Sequence, residues 1–179
     1  MSLQPKPSTT TATEYPPFDE RLVSLLWAEA DRSGEIAAMH KELFDPAWDE
    51  EAWRKILIDP CTNALVAKVR LRHLGAPVPA GFAVSRIVAD EAEILSIGVT
   101  APFQRRSIGD MLVRGLKRAA KSAGAQRLFL EVADDNTAAR KLYSATGFLQ
   151  VGERRNYYKR RDGTSADALT LAVDLTKSP

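Results

Sequence analysis

The sequence predicts a single mixed α/β domain, and three observations carry that prediction. An apolar run, Ile94-Leu-Ser-Ile-Gly-Val99, leads through Pro102 and a basic turn into Ile108, Met111, Leu112, Gly115, Leu116, Ala119 and Ala120 at helical spacing. A second strand and helix follow at residues 126–133 and after Asn136. Two β-like runs near the end of the chain flank Asp162-Gly163, the pattern of a closing hairpin. At 179 residues the chain is long enough to bury a substantial core.

Bulk properties narrow the function. A charged fraction of 27% and a net charge of +2 fit a soluble globular chain and argue against a nucleic-acid binder driven by bulk charge. Cys61 is the sole cysteine, which rules out an internal disulfide and suits a reducing compartment. With two histidines beside it, the chain lacks the four Cys or His ligands that a structural zinc site usually needs, so no metal is expected. No apolar run reaches the ~18 residues of a membrane span, and no signal-peptide core is present. The expected location is cytoplasmic.

The elements follow in order. Residues 1–17 hold Pro5, Pro7, Pro16 and Pro17 among serines and threonines and read as a disordered tail before a domain at 18–179. Residues 22–28 read as a strand and 33–44 as a helix with Ile36, Met39, His40 and Leu43 on one face. His40 has no companion ligand type and reads as a core-edge residue. Residues 44–48 break the pattern, and Asp49 looks like the N-cap of a helix through Ile58. Trp48 and Trp53 fit either core packing or the wall of a substrate groove. Residues 62–72 and 80–89 form a hairpin around Gly75, Pro77 and Pro79. After the central strand and its helix, which ends near Gly124, the strand at 126–133 turns Leu128, Leu130 and Val132 one way and Phe129, Glu131 and Ala133 the other. Asn136 caps a helix with Ala139, Leu142, Tyr143 and Thr146 on one face, and Gly147 suits its left-handed end. Strands at 149–158 and 167–175 close the chain. The expected order is β-α-α-β-β-β-α-β-α-β-β.

Several residues are candidates for chemistry. Gln104-Arg105-Arg106-Ser107-Ile108-Gly109 puts unpaired N–H groups of a helix start beside two guanidiniums, a setting for a pyrophosphate, although an Arg-Arg pair there is also an ordinary solvated segment. Glu131 sits in an apolar strand, where a carboxylate either serves proton transfer or pairs with an arginine at a wet edge. Glu93 is a second candidate base, equally readable as an exposed strand end. Tyr143 lies on an apolar helix face, where most tyrosines are core.

Together these motifs resemble the GNAT (Gcn5-related) N-acetyltransferases. The turn is similar to that family's Q/R-x-x-G-x-G/A loop, with Ser107 in place of the first glycine, and Asn136 through Phe148 resembles its second cofactor motif. Leu130-Glu131-Val132, Arg154-Arg155-Asn156-Tyr157-Tyr158, Asp162-Gly163 and Asp167-Ala168-Leu169 are similar to the RimI-type N-terminal acetyltransferases, which in bacteria modify the eighteenth protein of the small ribosomal subunit. The resemblance extends from about residue 92 to 171. It implies the GNAT fold, a mixed and mostly antiparallel sheet flanked by about four helices. It implies acetyl-CoA as co-substrate, held by Ile97, Gly98 and Val99 along the pantetheine, by Arg105, Arg106, Ser107, Ile108, Gly109 and Asp110 at the pyrophosphate, and by Asn136. Glu131 corresponds to the general base and Tyr143 to the general acid. Trp48, Tyr157 and Tyr158 fall on the acceptor side. The implied reaction is direct attack by an amine, most simply a protein N-terminus, with at most transient ribosomal-protein contact. A lysine, a polyamine or another small amine as acceptor, and a silent acyl-CoA-binding module, are the alternatives.

Overall fold

The structure, a computed structural model, describes residues 4–5, 22–71, 76–159 and 163–177. Along the chain lie β1 (Gln4–Pro5), β2 (Val23–Trp27), α1 (Ser33–Leu43), β3 (Phe44–Asp45), α2 (Glu50–Ile58), β4 (Thr62–Val69), β5 (Val78–Val88), β6 (Glu91–Val99), α3 (Ile108–Ser122), β7 (Arg127–Ala133), α4 (Thr137–Ala145), β8 (Leu149–Lys159) and β9 (Ser165–Asp174). Seven strands form one sheet in the order β2-β4-β5-β6-β7-β9-β8. Every pairing is antiparallel except β6 with β7. The helices and main-sheet strands match the expected order. The two-residue pair β1–β3 was not expected: Gln4–Pro5 lies in the stretch read as a tail, and Phe44–Asp45 in the stretch read as a break. The rest of that tail, Gly75 of the first hairpin and Asp162 of the last lie outside the described residues.

Two apolar layers hold the sheet. On one face α3 and α4 bury Ile108, Leu112, Leu116 and Tyr143 against Leu65, Ile94, Leu128, Leu130, Leu169 and Leu171. On the other, α1 and α2 bury Ile36, Met39 and Trp53 against Val66, Phe82 and Val84. Alternation decides which side chain goes where. In β7, Leu128, Leu130 and Val132 are buried in the first layer, while Phe129, Glu131 and Ala133 face the other way and are half-buried.

Local chemistry fixes the helix ends. Asp49 accepts the Ala52 N–H at 2.8 Å and Asn136 accepts the Ala139 N–H at 3.1 Å, so both expected N-caps form. Gly147 closes α4 at φ 90°, a left-handed conformation that costs glycine little. Lys117 of α3 donates to the Thr146 carbonyl at 2.8 Å, tying a cation to the negative end of α4. Burial lowers the pKa of that ammonium from the usual lysine value.

His40 is fully buried, a core residue and not an edge one. Its ring stacks between Phe44 and Trp48, with centroids 4.5 and 5.2 Å away, and meets Trp53 edge-on at 5.3 Å. Nδ1 accepts the Trp48 N–H at 3.1 Å, which places the proton of the neutral ring on Nε2. Burial lowers its pKa to about 4.

Candidate active site

The site is built where the parallel pair comes apart. β6 and β7 pair only at Glu91↔Arg127, Ala92↔Leu128 and Glu93↔Phe129, yet β6 continues to Val99 and β7 to Ala133. Just beyond the last pair β6 carries a bulge. Val84 stands opposite Ser96 and Ser85 opposite Ile94, leaving Leu95 as an extra residue. A bulge bends its strand, and here the bend accompanies the parting. The β7-facing backbone groups of β6 beyond Glu93 therefore have no ladder partner in β7, an open edge that an extended ligand can pair with. At the other edge of β6 the approach is close. A Cβ on Gly81 of β5 would lie 2.7 Å from the Gly98 carbonyl oxygen, so glycine at 81 lets the two strands meet there.

The cleft opens at the C-terminal ends of β6 and β7, and the starts of α3 and α4 both follow from these ends. At α3 the turn 104–109 is held by the Gln104 side chain, whose Nε2 donates to the Val99 carbonyl at 2.9 Å. Arg105 and Ser107 are left-handed, with φ 59° and 60°. A left-handed residue followed by a right-handed helix start turns successive N–H groups to one side, which makes an anion-receptive hollow. Ser107 thus adopts the conformation for which the family pattern uses glycine. Its hydroxyl makes no capping hydrogen bond. The left-handed state costs an L-residue ~1–2 kcal/mol, and the freer unfolded chain of a glycine gives back ~0.4–1 kcal/mol. Ser107→Gly is therefore expected to stabilise the fold by up to about 1 kcal/mol, read as a higher urea midpoint; a lower midpoint would reveal a contribution from the hydroxyl. Asp110, in the first turn of α3, has its carboxylate paired with Arg114 at 2.7 Å, which leaves the N–H groups as the anion-facing part of this turn. A Cβ on Gly109 would lie 3.1 Å from Leu142 of α4, so this glycine also keeps the two helix starts close.

On β7, Glu131 lies on the side away from the α3–α4 core, and Arg154 of β8 donates to its Oε1 at 3.0 Å. The arginine-pairing reading of this carboxylate is thus correct as geometry, and it leaves proton transfer open. Tyr143 is buried against Phe148, with ring centroids 5.7 Å apart. Burial first, and the neighbouring Tyr158 second, raise its pKa, so it keeps its proton at neutral pH. Tyr158 is buried too and is pushed up to about 12, chiefly by burial and then by Glu131 and Tyr157. Tyr157 meets Tyr158 edge-on at 5.3 Å and carries the Arg154 guanidinium 4.0 Å above its ring. Glu131, Arg154, Tyr157 and Tyr158 therefore form one chain of contacts, while Tyr143 lies in the α3–α4 core.

Other candidates fall elsewhere. Glu93 is exposed in the last paired position, at the closed end of the cleft. Trp53 is wholly core, and Trp48 stacks on His40 and meets Trp53 at a tilt beside a groove of about 400 Å³ between α1 and the start of α2. Asn136 spends its Oδ1 on the α4 cap. A groove of about 490 Å³ between Trp27 of β2 and Ala123 lies at the far end of α3 from the 104–109 turn. Among the described residues no cluster of His, Cys, Asp and Glu could hold a metal ion, and no helix is long and apolar enough to cross a membrane. Two parts of the site were not read from the sequence: the Gln104 clamp and the Arg154 contact. Gln104 stands first in the family pattern, which is a signal in itself. The Arg154 contact crosses β9 and has no local sequence signature.

The fold is thus an α/β sheet parted between two parallel strands, with helix starts gathered at the opening. The profile of the acetyltransferase (GNAT) family matches residues 20–148, and the chain belongs to that family. Among curated relatives, the [ribosomal protein bS18]-alanine N-acetyltransferase of Salmonella typhimurium is 39% identical over 97 residues, 54% of this chain and 65% of that enzyme. The chain thus matches somewhat under two thirds of that relative's length. The N-alpha-acetyltransferase RimI of Mycobacterium tuberculosis is 34% identical over 154 residues, covering 84% of this chain and 90% of that protein. The crystal structure of the ribosomal-protein-S18-alanine N-acetyltransferase from Escherichia coli superposes with a TM-score of 0.75 at 25% identity, over 88% of this chain and 96% of that one. Arabidopsis thaliana NAA60 in complex with acetyl-CoA shares the fold, with a TM-score of 0.77 at 16% identity over 87% and 99% of the two chains.

Proposed function

We propose that this protein is an N-terminal acetyltransferase that moves the acetyl group of acetyl-CoA to the α-amine of a protein. The observation that supports the reading is the parting of β6 and β7 after Glu93↔Phe129, with Glu131 on β7 two residues beyond the last pair and the open edge of β6 opposite. The relatives named for alanine N-acetylation of a ribosomal protein support the same acceptor class, and with it a cytoplasmic location and a transient encounter with that protein.

The residues fit the co-substrate. Ile97 and Val99 would offer backbone to the pantetheine amides, whereas the Gly98 backbone is turned to β5, and the N–H groups of 105–110, with Arg105 and Arg106, would suit a pyrophosphate. The co-substrate supplies an acetyl group activated as a thioester. The chain supplies the rest. Only a neutral amine can attack, and an α-amine, with a pKa of ~7.7–8.0 against ~10.4 for lysine, loses its proton far more readily at neutral pH. Glu131 would accept that proton directly or through a water. The Val99 N–H would meet the charge that develops on the acetyl oxygen. Tyr143, its proton held by burial, would donate to the departing sulfur. Cys61 lies in the turn between α2 and β4, and the scheme needs no nucleophile of the enzyme.

The test is release of free thiol from acetyl-CoA with a short peptide bearing an N-terminal alanine of a bacterial eighteenth small-subunit protein, followed by mapping of the product. Turnover with acetylation at the α-amine is expected. Turnover confined to lysine side chains or polyamines would move the acceptor, and tight acetyl-CoA binding without turnover on any amine would sink the enzymatic reading.

A further inference from the structure

Between the pairs Arg154↔Ala168 and Tyr158↔Ala166, three residues of β8, 155–157, face Asp167 alone. This three-residue bulge is pinned. The Asn156 N–H donates to Asp167 Oδ1 at 2.7 Å, Ser165 donates its hydroxyl to Asn156 Oδ1 at 2.6 Å, and Asn156 takes a φ of 52°, which asparagine tolerates better than most residues. The bulge displaces Tyr157 out of simple alternation, and its ring meets the Arg154 guanidinium at 4.0 Å. From that seat Arg154 reaches across β9 to Oε1 of Glu131. The ion pair is too exposed, at 56% and 27%, to contribute much to stability. Its cost in ordered side chains points to another use.

We propose that Arg154 is a positioning residue for Glu131. Stacked on Tyr157, it holds one carboxylate oxygen by a single hydrogen bond and leaves Oε2 for the acceptor amine or its bridging water. The bulge 155–157 is the device that sets its place. A guanidinium suits this task because its flat face stacks while its edge donates, and lysine can do only the second. The inference rests on Glu131 as the base of the acetyl transfer proposed above.

The experiment compares the full chain with Arg154→Gln, Arg154→Lys, Glu131→Gln and the double variant Glu131→Gln/Arg154→Gln, using acetyl-CoA and the alanine peptide. Arg154→Gln should lower kcat about ten- to hundredfold, the range that loss of alignment brings, with both KM values and the melting temperature nearly unchanged. Arg154→Lys should recover part of the rate. In the Glu131→Gln background the Arg154 substitution should cost nothing further, because Arg154 acts through Glu131. A raised acceptor KM at wild-type kcat would make Arg154 a peptide contact, and multiplicative losses in the double variant would give it an independent role; either overturns the proposal. Wild-type rates in Arg154→Gln beside a slow Glu131→Gln would remove this inference alone. Wild-type rates in Glu131→Gln, or a wild-type enzyme that acetylates no amine, would remove the underlying reading with it.

Discussion

Glu131→Gln is expected to lower kcat by about 10²–10⁴-fold, the usual cost of removing a proton-transfer group, without a change in melting temperature. The amide oxygen can still accept the Arg154 hydrogen bond that the carboxylate accepts at 3.0 Å, so the local geometry survives while the proton acceptor is lost. The carboxylate lies outside the main apolar core, which is why stability should not follow activity. Glu93→Gln is the control. Glu93 shares the face but sits exposed in the last paired position, before the strands part, and its substitution should leave the rate within a few-fold of wild type. Tyr143→Phe keeps the ring against Phe148 and removes only the hydroxyl. It should reduce kcat with little change in the KM for acetyl-CoA, since the donor matters when charge reaches the sulfur. Single-turnover measurements on the three variants decide the matter. Wild-type chemistry in Glu131→Gln would dismiss the base, and a large loss in Glu93→Gln would transfer the role to it.

What was legible in the sequence was whatever is written locally. Asp49 and Asn136 announce helix starts because their side chains cap a helix three residues on, and both hydrogen bonds form. Gly147 announces an end because left-handed backbone favours it. The two-sidedness of β7 follows from period-two alternation, and it already separated Glu131 from the core. The parts that escaped depend on register between distant strands. The Leu95 bulge exists only in the alignment of β6 on β5, and the opening of the cleft only in the short pairing of β6 with β7. Arg154 meets Glu131 across an intervening strand, after a bulge that shifts the β8 register, so no spacing along the chain encodes the contact. Ser107 departs from the glycine of the family pattern, yet the backbone takes the glycine-like angle, so residue type misleads there and the demand of the turn prevails. The short β1–β3 pair has no apolar periodicity to betray it, and proline at position 5 argues against a strand.

His40 should make the fold acid-sensitive in a defined window. Its ring is neutral and enclosed by Phe44, Trp48, Trp53 and Phe82, and burial lowers its pKa to about 4, against ~6.5 in an unfolded chain. The sign follows from proton uptake. Between these two values the unfolded chain binds a proton at this position and the folded one does not, so stability is complete above ~6.5 and falls as the pH drops toward about 4. The shift corresponds to a loss of about 3 kcal/mol, a large share of the ~5–15 kcal/mol that holds a domain together. Asp174 acts lower on the scale. Thr176 holds its carboxyl below the usual carboxylate range, so its contribution is lost only after that of His40. His40→Asn separates the two effects. An asparagine Oδ1 can take the place of Nδ1 beneath the Trp48 N–H, but the amide does not titrate. The variant loses ring contacts and should be less stable at neutral pH by roughly 1–3 kcal/mol, as buried truncations are. Its urea midpoint should nevertheless vary much less than that of the wild type across the interval from ~6.5 to about 4. Parallel curves for the two proteins would mean that His40 is not the group that takes up the proton. Convergence of the curves on acidification would place the proton uptake at the ring that joins α1 to the seven-stranded sheet.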